Sequence, residues 1–234
     1  GVAQSYNFYP VGHQTFEDGI ATIAIGLGKT VVGGGKALRF CPKYPENIPE
    51  FSSPQSIFNN VQRDLFVLET SKDKFKLTSK EDTNLIYLSV EDIKNDGTLD
   101  TLVSTFDKND GMIRDEFSHE GPNLVTFAGI LKYETFPLPS ILKDILQLGH
   151  KAMGCPVEIE FAVNLNQNSV LPPTFAILQI RPLVPSHEQS QISWEYNIDP
   201  NSIFIHTDRA LGNGIIKSIK NIIYVPPKTF DSTK

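Results

Sequence analysis

Cysteine is scarce: the 234-residue chain carries only Cys41 and Cys155. Two cysteines so far apart supply neither a disulfide framework nor a CxxC metal site, which points to a reduced, cytoplasmic setting. Basic charge is also short, with 21 Lys+Arg against 27 Asp+Glu and a net charge of −6. That balance argues against non-specific binding to nucleic acid or to an anionic membrane, while leaving room for a local basic pocket. No apolar run approaches the ~20 residues that span a bilayer, and no basic stretch followed by an apolar one opens the chain. A soluble protein is expected. Familiar catalytic signatures are missing too. There is no Gly-x-Ser-x-Gly elbow, and the histidines at 13, 119, 150, 187 and 206 show no HExxH or other ligand-like pairing.

What is present suits one large domain or two small ones, and a 40% share of hydrophobic residues is enough to bury a core. Both ends read as cut, with no initiator Met before Gly1 and a stop soon after the strand-like run Ile222-Ile223-Tyr224-Val225. A missing Met follows from processing as readily as from truncation. Ile20, Ala21, Ile23, Ala24 and Leu27 have the spacing of a short amphipathic helix, with Glu17-Asp18 as its start. Residues 26–35 hold five glycines, which demands a tight backbone excursion. Four prolines make residues 42–54 an irregular loop. Strands are expected at residues 65–68, 85–90 and 124–133, with 71–84 as a solvated connection. Asp107-Lys108-Asn109-Asp110-Gly111 begins like a calcium loop, but its glycine is one place early and Met112 follows, so it reads as a turn between strands. Pro139-Ser140 opens a helix with Ile141, Leu142, Ile145, Leu146 and Met153 on one face.

The last third has the clearest pattern. Val157, Ile159, Phe161 and Val163 alternate with Glu158, Glu160 and Ala162, as in a half-buried strand. A second strand runs through Phe175 to Pro182, with Ala176, Leu178 and Ile180 on one face and Gln179 and Arg181 on the other. Directly paired residues of a regular hairpin have a constant sum of numbers. Glu160 with Gln179 and Glu158 with Arg181 share one such sum. That register gathers two carboxylates, an amide and a guanidinium on one face, unless a bulge shifts it.

Two carboxylates and an amide oxygen are hard donors that suit Mg²⁺, and Arg181 offers a planar fork for phosphate or carboxylate. The set suits a Mg-nucleotide site better than glycoside hydrolysis. The competing reading makes Glu158–Arg181 an ordinary cross-strand ion pair worth a fraction of a kcal/mol. Gly28-Lys29-Thr30 ends like a Walker A loop, but Ile23 stands where its first glycine belongs; Gly26-x-Gly28 lacks the third glycine of a dinucleotide fingerprint, having Val31 there.

Pro156-Val157-Glu158-Ile159-Glu160-Phe161-Ala162, followed by Ile177-Leu178-Gln179-Ile180-Arg181-Pro182-Leu183, resembles the signature of the nucleotide-binding domain of the phosphoenolpyruvate synthase and pyruvate phosphate dikinase family. Upstream, Ile25-Gly26-Leu27-Gly28-Lys29-Thr30-Val31-Val32-Gly33-Gly34 is similar to the family's Gly-Leu-Gly-Glu-x-Val-Val-x-Gly segment, with Lys29 in place of Glu. The resemblance implies an α+β, ATP-grasp-like C-terminal subdomain over residues 1–192, mainly antiparallel sheet with packed helices, and the start of a following module at 193–234. It implies ATP as substrate and Mg²⁺ as cofactor. Glu160 and Gln179 match the metal- and phosphate-binding acid and amide, and Arg181 the phosphate-contacting arginine of catalysis. Glu158 stands where the family often has Asp, as a further nucleotide contact. Complete members pass the phosphoryl group through a histidine on a separate domain to pyruvate. The family's lysine and Arg-Ser-Ser-type segment of the N-terminal ATP-grasp subdomain have no equivalent here. The expected function is therefore part of a multidomain phosphotransferase, and the alternative is a degenerate ATP-grasp-like binding or regulatory module without turnover.

Overall fold

The computed structural model describes residues 1–165, 171–183, 199, 202–204 and 218–224, except 72, 79, 81, 96, 98, 119 and 120. His119, His187, His206, the Leu211 to Gly214 run and most of the proposed C-terminal module lie outside the described residues. The chain divides into two compact units, Gly1–Pro182 and Leu183–Lys234.

The first unit is α+β, and every strand pairing in it is antiparallel. Its main sheet has the order β10-β9-β1-β2-β3, from β1 (Val2–Gln4), β2 (Ile20–Ile23), β3 (Leu38–Phe40), β9 (Val157–Asn164) and β10 (Thr174–Pro182). A hairpin of β4 (Asp64–Leu68) and β5 (Leu85–Ser89) stands beside it. A three-stranded sheet, β7-β6-β8, is built from β6 (Val103–Phe106), β7 (Ile113–Arg114) and β8 (Asn123–Val125). One core joins these elements, including Ala3, Ala21, Leu65, Val103, Val125 and Ile159.

The short helix α1 (Lys29–Val32) follows β2, and helix α4 (Leu138–Met153) covers one face of the main sheet. Pro139 pre-sets its first turn, and Gly154, at φ 67, closes it by donating to the His150 carbonyl. Leu138, Leu142, Leu146 and Gly149 form its buried stripe, whereas Met153, expected on that face, is exposed. A Cβ on Gly149 would stand 2.9 Å from Ile180 Cδ1 and 3.1 Å from Val157 Cγ2. Glycine thus lets the helix approach β9 and β10 closely.

Four expectations fail for physical reasons. Residues 20–23 are strand β2, not a helix. The run of Ile, Ala, Thr and Ile fits either period, β-branching favours extension, and β1 and β3 supply hydrogen-bond partners on both sides. Glu17-Asp18 instead lies in a single 3-10 turn, Phe16–Asp18, where Asp18 accepts from the Thr15 N–H at 2.7 Å. The strand expected at 124–133 stops at Val125. Phe127 adopts the left-handed conformation (φ 54), turning the chain into α3 (Ala128–Leu131), while Thr126 and Phe127 both donate to the Leu102 carbonyl. The proline-rich loop contains the 3-10 turn Pro49–Phe51 and ends in α2 (Pro54–Asn60), with the Ser53 cap and Pro54 at its start as the helix-start signature.

In the second unit, Ser202 turns back on Asp199 through its N–H at 2.8 Å and its hydroxyl at 2.7 Å. Phe204 meets Tyr224 edge-on at 6.0 Å. Ile222, Ile223 and Tyr224 form no strand, and no strand partner for them lies among the described residues. No helix among the described residues is long and apolar enough to cross a membrane.

Candidate functional site

The β9–β10 register agrees with the one read from residue numbers: Glu160 faces Gln179 and Glu158 faces Arg181. The four side chains therefore share the face of the sheet opposite α4, because β side chains alternate. Two rows run across that face. One is Arg181, Glu158, Gln4 and Ile20; the other is Gln179, Glu160, Val2, Thr22 and Arg39. Beneath them, Ile180, Ile159, Ala3, Ala21 and Phe40 form the matching apolar row.

A bulge at Leu178 falls just beyond this register. One extra residue reverses the parity of what precedes it. Ala176 pairs with Ala162 and so shares the face of Glu160, not that of Ile180 as the alternation had suggested; Ile177, opposite Phe161, takes the core parity.

The carboxylates differ in their commitments. Glu158 is only 8% exposed, and both its oxygens are engaged. Arg181 donates to Oε1 from Nε at 2.8 Å and also from Nη2, while Gln4 Nε2 donates to Oε2 at 2.6 Å. The bond to Glu158, then that carboxylate's charge and the charge of Glu160, hold the Arg181 guanidinium above its ordinary range. Glu160 is half-buried and makes no hydrogen bond or ion pair among the described residues. Gln179 is exposed and likewise unpaired there. Gln4 escaped the sequence reading because a three-residue strand carries too little pattern to announce itself.

The glycine segment reaches Glu160 by another route. Residues 26–28 and Glu160 line one cavity of about 670 Å³, together with Ile25, Phe127 and Leu178. Gly26, at φ 89, is required there: a Cβ would stand 2.8 Å from the Phe66 carbonyl oxygen. Ile25 is clamped by the buried Gln62 amide, which accepts from its N–H at 2.8 Å and donates to its carbonyl at 2.9 Å. Among the described residues, Gln179 and Arg181 are not in the lining, and neither is any other lysine or arginine. Lys29, at the departure from the family pattern, forms an ion pair with Asp82 and lies over the Phe66 ring at 5.4 Å.

Glu160 and Gln179 are hard oxygen donors side by side, which fits a Mg²⁺ ion held chiefly by water and substrate phosphate. No group of three or more His, Cys, Asp or Glu suited to a metal occurs among the described residues. Comparison with family models, curated proteins and solved structures finds no match for this chain.

Proposed function

We propose that the open face of the β9–β10 hairpin binds the phosphates of Mg-ATP, as one part of an ATP-grasp-like, multidomain phosphotransferase. The observation that carries this reading is the register. It puts an uncommitted carboxylate, an amide and an anchored guanidinium within one patch on adjacent strands. Glu160 and Gln179 would hold the ion, which supplies charge neutralisation between phosphate oxygens. Arg181, oriented by Glu158, presents its remaining N–H groups to phosphate, where they offset developing charge. Pyruvate as acceptor, a phosphohistidine carrier, an N-terminal ATP-grasp partner and a cytoplasmic setting come from the family resemblance. The patch offers few donors, so weak affinity is expected from this chain alone.

Calorimetry with Mg-ATP tests the reading. We expect binding weaker than micromolar that falls about tenfold or more in Glu160→Gln and in Arg181→Ala. Equal affinity in wild type and both variants overturns it. A second reading, a nucleotide-sensing module without turnover, is favoured by one observation: among the described residues no cationic side chain lines the cavity that the glycine segment shares with Glu160. Phosphorus NMR of ATP incubated with pyruvate and the full-length polypeptide separates the two, since only the enzyme consumes ATP.

A further inference from the structure

A second cavity, of about 320 Å³, lies in the first unit between the proline-rich segment and the β7-β6-β8 sheet. One wall is formed by Ile48, Phe51 and Ile57, the other by Ile113 of β7 and Leu131 of α3. Both walls are held from behind. Ser56 Oγ donates to the Glu50 carbonyl at 2.8 Å, tying α2 to the 3-10 turn that carries Phe51. On the other side the left-handed turn at Phe127 starts α3 and buries Leu131. The volume falls at the lower end of the ~300–1,000 Å³ of small-molecule sites, which combine apolar walls with a few placed polar groups.

Three charged side chains border this cavity: Glu46, Asp115 and Lys132. Asp115 accepts from Ser104 Oγ at 2.9 Å on one oxygen and from Lys132 Nζ at 2.8 Å on the other, where the Tyr133 hydroxyl also reaches at 3.3 Å. The Lys132 charge is therefore answered within the wall. Glu46 stands on the turn after β3, in which Asn47 donates to the Tyr44 carbonyl and Ile48 to that of Glu46. Two carboxylates against one ammonium leave the lining with an excess of negative charge, and because Glu46 is exposed that excess lies on the solvent side. A ligand carboxylate entering here would meet repulsion from Glu46, whereas a cation on an apolar body gains from both ends of the cavity. The Phe51 ring in the wall and the Met112 thioether, 55% exposed beside it, suit an aromatic body.

We propose that this cavity is a binding site for a small protonated arylalkylamine. The aromatic body fills the apolar space between α2 and α3, and the ammonium pairs with Glu46 while the Asp115–Lys132 pair stays intact. A lysine side chain of a partner protein carries the same ammonium, but its alkyl stem lacks the ring that Phe51 and Met112 favour. The inference does not rest on the nucleotide reading, which uses Glu160, Gln179 and Arg181.

The test is an NMR titration of the full chain, with no nucleotide or metal present, read at the amides and methyls of Ile57, Ile113 and Leu131. The probes are phenethylammonium, the neutral 2-phenylethanol, 3-phenylpropionate and Nα-acetyl-lysine amide. We expect phenethylammonium to bind about threefold tighter than the alcohol, the scale of one exposed ion pair, and the other two probes to bind more weakly than the alcohol. Glu46→Gln should make ammonium and alcohol equal while leaving the alcohol affinity as it was, which also shows that the variant is folded. Four results overturn the proposal: no shifts at these residues with any probe, 3-phenylpropionate as tight as phenethylammonium, lysine amide as tight as phenethylammonium, or an ammonium-to-alcohol ratio unchanged in Glu46→Gln. Mg-ATP calorimetry reads other residues, so failure of one inference is distinct from failure of the other.

Discussion

Ile159 and Glu160 are adjacent in the chain and point to opposite faces of β9, so their substitutions should have opposite consequences. Ile159 is 0% exposed and sits between Ala3 and Ile180 in the row beneath α4. Ile159→Ala removes three aliphatic carbons, worth roughly 2.4 kcal/mol of lost transfer free energy at about 0.8 each. The void left under α4 adds to this, because the sheet is pinned on both sides of Ile159 and collapses poorly. A total of about 3 kcal/mol is expected, or roughly 6–12 °C in Tm for a unit of this size. Glu160→Ala removes a half-buried side chain without a hydrogen bond or ion pair among the described residues. It should change stability by less than about 1 kcal/mol while abolishing Mg-ATP binding. Urea unfolding monitored by circular dichroism measures the first effect, with the m value unchanged, and calorimetry measures the second. Equal destabilisation by both variants, or a loss below about 1 kcal/mol for Ile159→Ala, would refute the assignment of faces and with it the site.

Two further predictions concern the supports of this geometry. Gly129→Ala places a Cβ 2.4 Å from the Thr101 carbonyl oxygen; although alanine favours helices, crowding against fixed backbone should cost about 1–3 kcal/mol, and a neutral or raised unfolding midpoint would contradict that packing. Burial alone would raise the Asp115 carboxyl. Bonds from Lys132 at 2.8 Å and Ser104 at 2.9 Å, the Lys132 charge and the Tyr133 hydroxyl outweigh it and hold the group below its ordinary range. A lowered folded value means its stabilisation is complete above the unfolded pKa near 3.9 and is lost as pH falls through the folded value. Asp115→Asn should therefore flatten the acid limb of the stability profile below about pH 4, and an unchanged acid limb in urea titrations would exclude this role.

The sequence by itself determined the local, strongly periodic parts. The β4–β5 hairpin, the turn at 107–111, helix α4 and the β9–β10 register were legible because side-chain alternation and helical spacing are set within a few residues. The pairing of Glu160 with Gln179 needed only the alternation on each strand and a constant sum of residue numbers. Tertiary structure decided what depended on distant partners. Whether Ile20 to Ile23 extends or coils turns on β1 and β3 being there to pair with it. The left-handed turn at Phe127, with two N–H groups on the Leu102 carbonyl, breaks an apolar run that has no local stop signal. Residue numbers place Glu158 opposite Arg181, but only the packing of β1 against β9 brings Gln4 to the second Glu158 oxygen. Lys29 lies in the glycine segment, and only the fold brings Asp82, far along the chain, to pair with it.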